Sequence, residues 1–330
     1  MKFADICGQS HIKEHLQNAI AMGKVSHAYI ISGEKDSGKK MLAEAFAAAL
    51  LCEKEGRDAC GVCRSCKQAM DYNHPDIRYV THEKPTTISV EDIRQQINND
   101  IVIKPYASSH KIYIVDEAEK MNKMAQNALL KTIEEPPEYG VILLLTTNAA
   151  GFLPTILSRC VTLEMQPIPT DIIIKELMEK HRIPDYQAEV CASFAQGNLG
   201  KAIKLASSDE FNEIKNGMVA MLRRMENMDL YEVSQVVKQL EEYKPEIQDY
   251  LDLLTIWFRD VLLYKSTGNQ QGITFRDEAL IIKKQAEAAS YNGLEKILEA
   301  VTTAKRRIAA NGNYNLAIEL MLLTIKENIS

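Results

Sequence analysis

The segment from Gly33 to Lys40, with the sequence GEKDSGKK, constrains the possible fold of this chain more than any other feature. Its G-x4-G-K frame is that of a phosphate-binding P-loop, in which backbone amides and a lysine surround nucleotide phosphates. An apolar run, His27 to Ser32, precedes the loop, and an Ala- and Leu-rich helical segment follows it. This order of strand, loop and helix strengthens the motif, because the loop amides and the helix N-terminus bind phosphate together.

The last residue of the loop departs from the motif. A working P-loop has Ser or Thr after its lysine, and that hydroxyl coordinates Mg2+. Here Lys40 follows Lys39. An ammonium group has three donors and no acceptor, so it cannot ligate the metal. We therefore expect Gly33, Gly38 and Lys39 to form a degenerate nucleotide site with impaired catalysis.

Strands that alternate with helices predict an α/β domain up to about residue 166. Further strands are expected at Ile77 to Val80, Lys111 to Val115 and Val141 to Leu145, with helical segments between them. This alternation predicts a parallel sheet that is covered by helices on both faces. Beyond Thr170 the pattern changes to amphipathic helices with short connectors. We expect a small helical unit at 167–207 and a larger helical bundle at 208–330.

Length and charge narrow the class of protein. A chain of 330 residues exceeds what one hydrophobic core usually supports, so two or three domains are expected. The formal charge of −6 argues against a generally basic nucleic-acid binder. The N-terminus lacks the apolar stretch of a signal peptide, and a cytoplasmic protein is expected. In that reducing compartment the seven cysteines should be thiols or metal ligands.

An apolar strand that ends in two carboxylates, Asp116 and Glu117, has the arrangement of a Walker B element. The aspartate would hold Mg2+ through water, and the glutamate would polarise the attacking water. The alternative is a strand that ends in a solvated acidic turn. The P-loop in the same domain favours the Walker B interpretation.

Four cysteines follow the P-loop helix with the spacing C-x7-C-x2-C-x2-C. They are Cys52, Cys60, Cys63 and Cys66. Tight C-x2-C spacing lets thiolates converge on one tetrahedral ion, and four such ligands are typical of structural Zn2+. A redox C-x2-C pair is the main alternative, but it would leave two nearby cysteines unexplained.

Arg159, within the sequence Ser-Arg-Cys, lies at the end of the predicted α/β domain. An arginine at a domain surface could act across an interface as a finger that neutralises charge on the γ-phosphate of a neighbour. A surface arginine in a salt bridge is the commoner situation. Sequence position alone does not decide between these two interpretations.

Several further motifs occur in one order along the chain. They are I-C-G-Q from Ile6, H-A-Y from His27, H-P-D from His74, N-A-L-L-K-T-I-E-E-P-P from Asn127 and S-R-C from Ser158. Together with the P-loop, the cysteines and Asp116-Glu117, they resemble the clamp-loader branch of the AAA+ ATPases. The resemblance is dense in motifs to about residue 205 and rests on helical pattern alone beyond it.

This resemblance implies three domains and a ring. The α/β domain (1–166) would carry an inserted zinc module at about 52–66, followed by a helical lid (167–207) and a helical collar (208–330). In the family, five subunits assemble through their collars into an open ring. The resemblance also implies that Arg159 acts in trans on the ATP of the adjacent subunit, and that Thr147 or Asn148 orients water at the chain's own site.

Two departures from the motor subunits then suggest a non-motor, stator-like clamp-loader subunit. One is Lys40, and the other is Gly200, which stands where motor subunits have a sensor arginine. We expect little or no ATP hydrolysis by the chain itself, with ATP and Mg2+ bound weakly or not at all. The implied partners are gamma/tau and delta types of clamp-loader subunit, the sliding clamp and primer-template DNA, within a nucleoid-associated replisome.

Two alternatives remain open at this point. The first is an active clamp-loader ATPase resembling the gamma/tau motor, since Glu117 and Lys39 are retained. The second is a zinc-dependent nucleic-acid-binding protein with a vestigial P-loop.

Overall fold

The structure, a computed structural model, describes residues 2–54, 56–82, 84, 87–241, 244, 246–309 and 312–329. Within this part of the chain, five parallel strands form one sheet. The strands are Ala28–Ser32 (β1), Ile77–Val80 (β2), Lys111–Val115 (β3), Gly140–Thr146 (β4) and Val161–Glu164 (β5). Their order is β2-β3-β4-β1-β5, so the strand that leads into the P-loop lies between β4 and β5.

Helices cover both faces of the sheet. They are Ser10–Ala21 (α1), Lys39–Leu50 (α2), Arg64–Met70 (α3), Val90–Ile93 (α4), Lys123–Glu134 (α5) and Pro154–Leu157 (α6). Successive strand residues point to opposite faces. Ile31 therefore packs with Leu42 and Phe46 of α2, and Ile30 packs in a second cluster with Leu129 of α5. The predicted α/β class with a parallel sheet is confirmed.

The carboxyl ends of β1, β3 and β4 lie side by side. Ser32 of β1 is paired with Thr146 of β4, and Val115 of β3 is paired with Leu144 of β4. Loops that follow neighbouring parallel strands leave the sheet at the same edge, where open α/β sheets bind ligands. The P-loop and the segments after β3 and β4 therefore meet at one edge.

Beyond residue 168 the regular elements in the described residues are all helices, joined by short connectors. Its helices are Thr170–His181 (α7), Asp185–Ala195 (α8), Leu199–Ala206 (α9), Asp209–Arg224 (α10), Leu230–Leu240 (α11), Ile247–Thr267 (α12), Ala279–Ala288 (α13), Tyr291–Ala309 (α14) and Tyr314–Asn328 (α15). In the described ranges, none of the helices has both the length and the apolar composition required to cross a bilayer.

The chain divides into two compact units. One contains the residues up to Ile168 together with Asn198–Gly200, and the other contains the remaining residues. Inside the second unit, α8 packs against α12, and Arg276 Nη1 pairs with Glu189 Oε1 at 2.7 Å. Buried Trp257 of α12 donates from Nε1 to Gln285 Oε1 at 2.8 Å. The division into lid and collar near residue 207 stays a prediction.

Candidate functional site

The backbone at Gly38 favours glycine, and the surroundings of Gly33 leave little space for a side chain. Gly38, the residue before α2, has φ +94°. This backbone conformation is energetically unfavourable for any residue that has a Cβ. A Cβ on Gly33 would lie 3.0 Å from Met165 Cβ and 3.0 Å from Ser37 Oγ. The loop therefore keeps the tight backbone course of the motif.

The ammonium group of Lys39 is bound by its own loop. Its Nζ donates to Gly33 O at 2.7 Å and to Glu34 O at 2.5 Å, and only 9% of the residue is exposed. Burial lowers the pKa of Lys39, and the nearby carboxylates of Glu119 and Asp116 oppose that effect. A nucleotide phosphate would have to replace the two carbonyl contacts to use this lysine.

Lys40 projects toward β2. Its Nζ lies 5.9 Å from the centre of the Tyr79 ring, a distance that permits a cation–π attraction. The side chain at the position where the motif has its metal ligand therefore lies against an aromatic ring.

Asp116 and Glu117, the carboxylates of the predicted Walker B element, follow β3 at the edge of the sheet that carries the P-loop. Glu117 has φ +51°, and its Oε2 pairs with Lys120 Nζ at 2.5 Å in a half-exposed ion pair. Asp116 Oδ1 accepts the amide of Glu117 at 3.0 Å. Asp116 therefore lies at the sheet edge that carries the P-loop. The Glu117 carboxylate instead pairs with Lys120, three residues further along the chain.

A third carboxylate, which sequence reasoning did not identify, lies in this region. Thr147 Oγ1 donates to Glu119 Oε1 at 2.8 Å. Burial opposes ionisation of Glu119, but hydrogen bonds from its own amide and from Thr147 lower its pKa. Asn148 donates its amide to Thr146 Oγ1 at 3.0 Å. Thr147 and Asn148 are the two residues expected to orient water. The side chain of Thr147 is held by the Glu119 carboxylate, and the backbone amide of Asn148 is held by the Thr146 hydroxyl.

A segment distant in sequence packs onto the P-loop backbone. Asn198, only 4% exposed, donates from Nδ2 to Lys35 O at 2.8 Å and approaches Glu34 Oε2 at 3.3 Å. A Cβ on Gly200 would lie 2.1 Å from Asp36 O. No side chain, and therefore no sensor arginine, fits at position 200 while this contact persists.

This close approach makes Gly200→Ala a sensitive variant. We expect it to destabilise the protein by about 1–3 kcal/mol, because the added methyl group forces backbone apart. Urea unfolding of the variant and the parent chain measures the effect. Gly151→Ala is the matched control, since its Cβ would meet only Asn148 atoms at 3.7 Å or more. Equal stability of the two variants would refute the close packing at Gly200.

Arg159 lies between α6 and β5 with its side chain 40% exposed. Its Nη2 is 3.1 Å from Glu134 Oε1, and its Nη1 donates to Thr155 O at 3.1 Å and to Ser158 Oγ at 3.2 Å. The surface salt bridge of the alternative interpretation therefore exists. An exposed pair contributes about 0–1 kcal/mol, so the arginine remains free to exchange partners.

The four predicted cysteines converge. Cys52 follows α2, Cys60 lies in the next loop, Cys63 caps α3 and Cys66 lies within it. All four Sγ atoms lie within 4.8 Å of one another, and those of Cys60 and Cys66 are 3.9 Å apart. Zn–S bonds of about 2.3 Å in a tetrahedron place sulfurs about 3.8 Å apart. Four convergent thiols at this spacing fit Zn2+.

Backbone amides favour the thiolate of Cys60, whereas burial raises the pKa of Cys66 to about 12. The amides of Val62 and Cys63 donate to Cys60 Sγ at 3.5 and 3.3 Å, and the amide of Cys66 donates to Cys63 Sγ at 3.3 Å. Hydrogen bonds to an anion stabilise it. The amides of Val62 and Cys63 lower the pKa of Cys60 to about 6.

The H-P-D motif anchors this module to the sheet. Buried His74 accepts the amide of Asp76 at Nδ1, and its Nε2 lies 3.0 Å from Ser65 Oγ of α3. Asp76, 1% exposed, accepts three consecutive amides. These come from Tyr106, Ala107 and Ser108, at 2.5, 2.8 and 2.9 Å. The three-residue motif alone does not reveal this structural role, because the partners of Asp76 lie about 30 positions away in sequence.

Comparison with known proteins gives the family. The family of DNA polymerase III delta subunits matches residues 8–169, and the family of the C-terminal region of that subunit matches residues 214–327. Together the two matches cover most of the chain. The chain is 29% identical to DNA polymerase III subunit delta' of Bacillus subtilis, over 97% of this chain and 96% of that protein. The chain belongs to the DNA polymerase III clamp-loader family.

Other relatives of this clamp-loader subunit are of the tau type. Subunit tau of Bacillus subtilis is 30% identical over 86% of this chain and 55% of its own length, so the chain spans about half of that relative. A solved gamma subunit-related protein of Thermotoga maritima has 19% identity and a TM-score of 0.41, with 96% of this chain and 99% of that chain covered. The identities to curated delta', tau and tau/gamma subunits make this clamp-loader subunit delta'-like or gamma/tau-like.

Proposed function

We propose that this chain is the non-motor, delta-prime-type subunit of a bacterial DNA polymerase III clamp loader and that it hydrolyses little or no ATP itself. The main support for this proposal is the set of contacts made by its P-loop. Lys39 donates to the carbonyls of Gly33 and Glu34, while Asn198 and Gly200 pack against the same loop. The match over 96% of a delta' subunit supports the same assignment.

Two parts needed for phosphoryl transfer are missing from the chain's own site. Mg2+ bridges nucleotide phosphates and neutralises the developing charge, and the P-loop hydroxyl that ligates it is replaced by Lys40. The sensor arginine is replaced by Gly200, which has no room for a side chain. Lys39 and the loop amides leave weak binding of nucleotide open, but binding alone gives no turnover.

Arg159 would contribute to catalysis on a neighbouring chain. Its guanidinium is partly exposed and held by weak surface contacts. An arginine presented to the γ-phosphate of an adjacent subunit stabilises the charge of the transition state. Hydrolysis there would be coupled to opening and closing of the sliding clamp on primer-template DNA.

The helical second unit would provide the contacts for assembly with gamma/tau and delta types of subunit. Helices α14 and α15 enclose a surface groove of about 550 Å3. Its lining combines small and apolar residues with charged ones, since Ala300, Ala304 and the 43% exposed Leu320 lie together with Lys296, Glu299 and Glu327. Small and apolar residues in a groove between helices accept a further helix. This groove supports a role in assembly for the collar expected at 208–330, and the five-subunit ring is what the family resemblance implies.

Zn2+ held by Cys52, Cys60, Cys63 and Cys66 would be structural. Four thiolate ligands fill a tetrahedral site and leave no position for a reacting water. These residues would fix the loop between α2 and α3, and Asp58 would tie that loop to the N-terminus by accepting the amide of Phe3 at 2.9 Å.

A gamma/tau-type motor is the second candidate. It is favoured by the 30% identity to a tau subunit and by the retained Glu117.

A steady-state ATPase assay on the isolated chain separates the two candidates. We expect no turnover above background, because the metal ligand and the sensor arginine are both absent. Lys39→Ala serves as the matched control for contaminating activity. Turnover at the rate of a motor subunit that disappears in Lys39→Ala would identify the chain as a motor and overturn the proposal.

A further inference from the structure

Glu134, the last residue of α5, lies beside Arg159 in the same chain. Its Oε1 is 3.1 Å from Arg159 Nη2, and the two side chains are 45% and 40% exposed. The other nitrogen, Nη1, donates to Thr155 O and Ser158 Oγ. The guanidinium therefore has anchors at both of its terminal nitrogens, and only Glu134 carries charge among them.

We propose that Glu134 is a positioning residue. Its carboxylate orients the guanidinium of Arg159 toward the phosphate of the nucleotide bound by the adjacent subunit. This inference rests on the proposed trans role of Arg159. It adds a second residue of this chain to that role, one that touches no nucleotide itself.

The backbone at Glu134 is well fixed. Leu129 and Ile133 of α5 are buried against the sheet, and the helix begins with Asn122 Oδ1 accepting the amide of Ala125 at 2.8 Å. Groups carried on packed helices hold a geometry better than groups on loops. The backbone that carries Glu134 is thus fixed, and its carboxylate adds a charged contact to the hydrogen bonds that Arg159 makes with Thr155 and Ser158.

The ion pair between Glu134 and Arg159 is strong enough to orient the guanidinium and weak enough to release it. An exposed ion pair contributes about 0–1 kcal/mol, so a phosphate that carries more charge can compete for the arginine. A guanidinium has five N–H donors, so it can engage a phosphate without releasing every present contact. A buried salt bridge would instead withhold the arginine from a partner.

Glu135 provides the matched comparison. It is the next residue, it is exposed, and it carries the same charge. It follows the end of α5 with φ −124°, a non-helical conformation. Removal of its charge changes the local electrostatic potential by a similar amount without touching the contact to Arg159.

The test measures ATP turnover of the reconstituted clamp loader with this subunit varied. We expect Glu134→Gln to lower the single-turnover rate constant of the adjacent site about 10-fold with ATP affinity unchanged, because a misoriented group loses transition-state contact. Glu135→Gln should match the parent. In an Arg159→Ala background, Glu134→Gln should have no further effect, since the two residues act as one unit.

Each other outcome overturns the inference. Equal turnover with Glu134→Gln and Glu135→Gln would show that the contact does not matter. The same 10-fold loss in the Arg159→Ala background would show a structural effect independent of the arginine. If Arg159→Ala alone leaves turnover unchanged, the trans role itself fails, and that result is distinct from a failure of Glu134 alone. Thermal unfolding of Glu134→Gln, expected to match the parent, checks that the fold is intact.

Discussion

Arg159→Ala in a reconstituted clamp loader is expected to lower ATP turnover at the adjacent site by about 1,000-fold, the low end of the effect of an arginine finger. The physical reason is that charge developing on the γ-phosphate would lose its cationic partner. The variant should remain folded and assembled, because the contacts of Arg159 in its own chain are exposed and weak. Single-turnover measurements on the assembled complex would report the adjacent site directly.

Arg159→Lys is the informative control. Lysine keeps the charge but not the planar fork that binds two phosphate oxygens, so we expect only partial recovery. Turnover of the Arg159→Ala complex equal to that of the parent complex would mean that the surface salt bridge with Glu134 is all that this residue does.

Loss of zinc is the second large effect that we expect. Removal of the ion with a chelator, or Cys63→Ser, should unfold the segment around the cysteine cluster, because structural zinc contributes about 10 kcal/mol to the folding of such modules. His74 and Asp76 couple this segment to β2, so the thermal midpoint of the first unit should fall as well. Elemental analysis should find one zinc ion per parent chain, and calorimetry should record the loss of stability.

Cys7→Ser is the matched control for zinc, since Cys7 lies outside the cluster. We expect that variant to retain one zinc ion. A parent chain without zinc, whose cysteines cycle between thiol and disulfide, would favour the redox interpretation. Cysteine variants that fold and assemble normally but lose DNA binding would favour the nucleic-acid-binding alternative.

Most of the sheet could be predicted because its strands are apolar on both faces. The strands expected at Ile77 to Val80 and Lys111 to Val115 have those same bounds in the structure. The fifth strand, Val161–Glu164, was not among the expected strands. It is a short edge strand in which Thr162 and Glu164 are exposed, so its apolar signal is weak.

The sequence suggests residues for the candidate site but not the contacts that they make. Local spacing identified Lys39 and the cysteines, because each motif lies within one short segment. The contact of Asn198 with Lys35 joins residues 163 positions apart, and no local pattern encodes it. The place of Glu119 in the candidate site could not be predicted for a related reason. Its partner Thr147 follows a different strand, 28 positions away.

Paired turnover measurements on one clamp loader, with either Lys39→Ala or Arg159→Ala in this subunit, test the central claim most directly. The account predicts that Lys39→Ala changes turnover by less than about twofold, because the site it belongs to does not hydrolyse ATP, whereas Arg159→Ala abolishes the contribution of the adjacent site. The reverse pattern, with a large loss from Lys39→Ala and none from Arg159→Ala, would contradict it and identify this chain as a motor subunit.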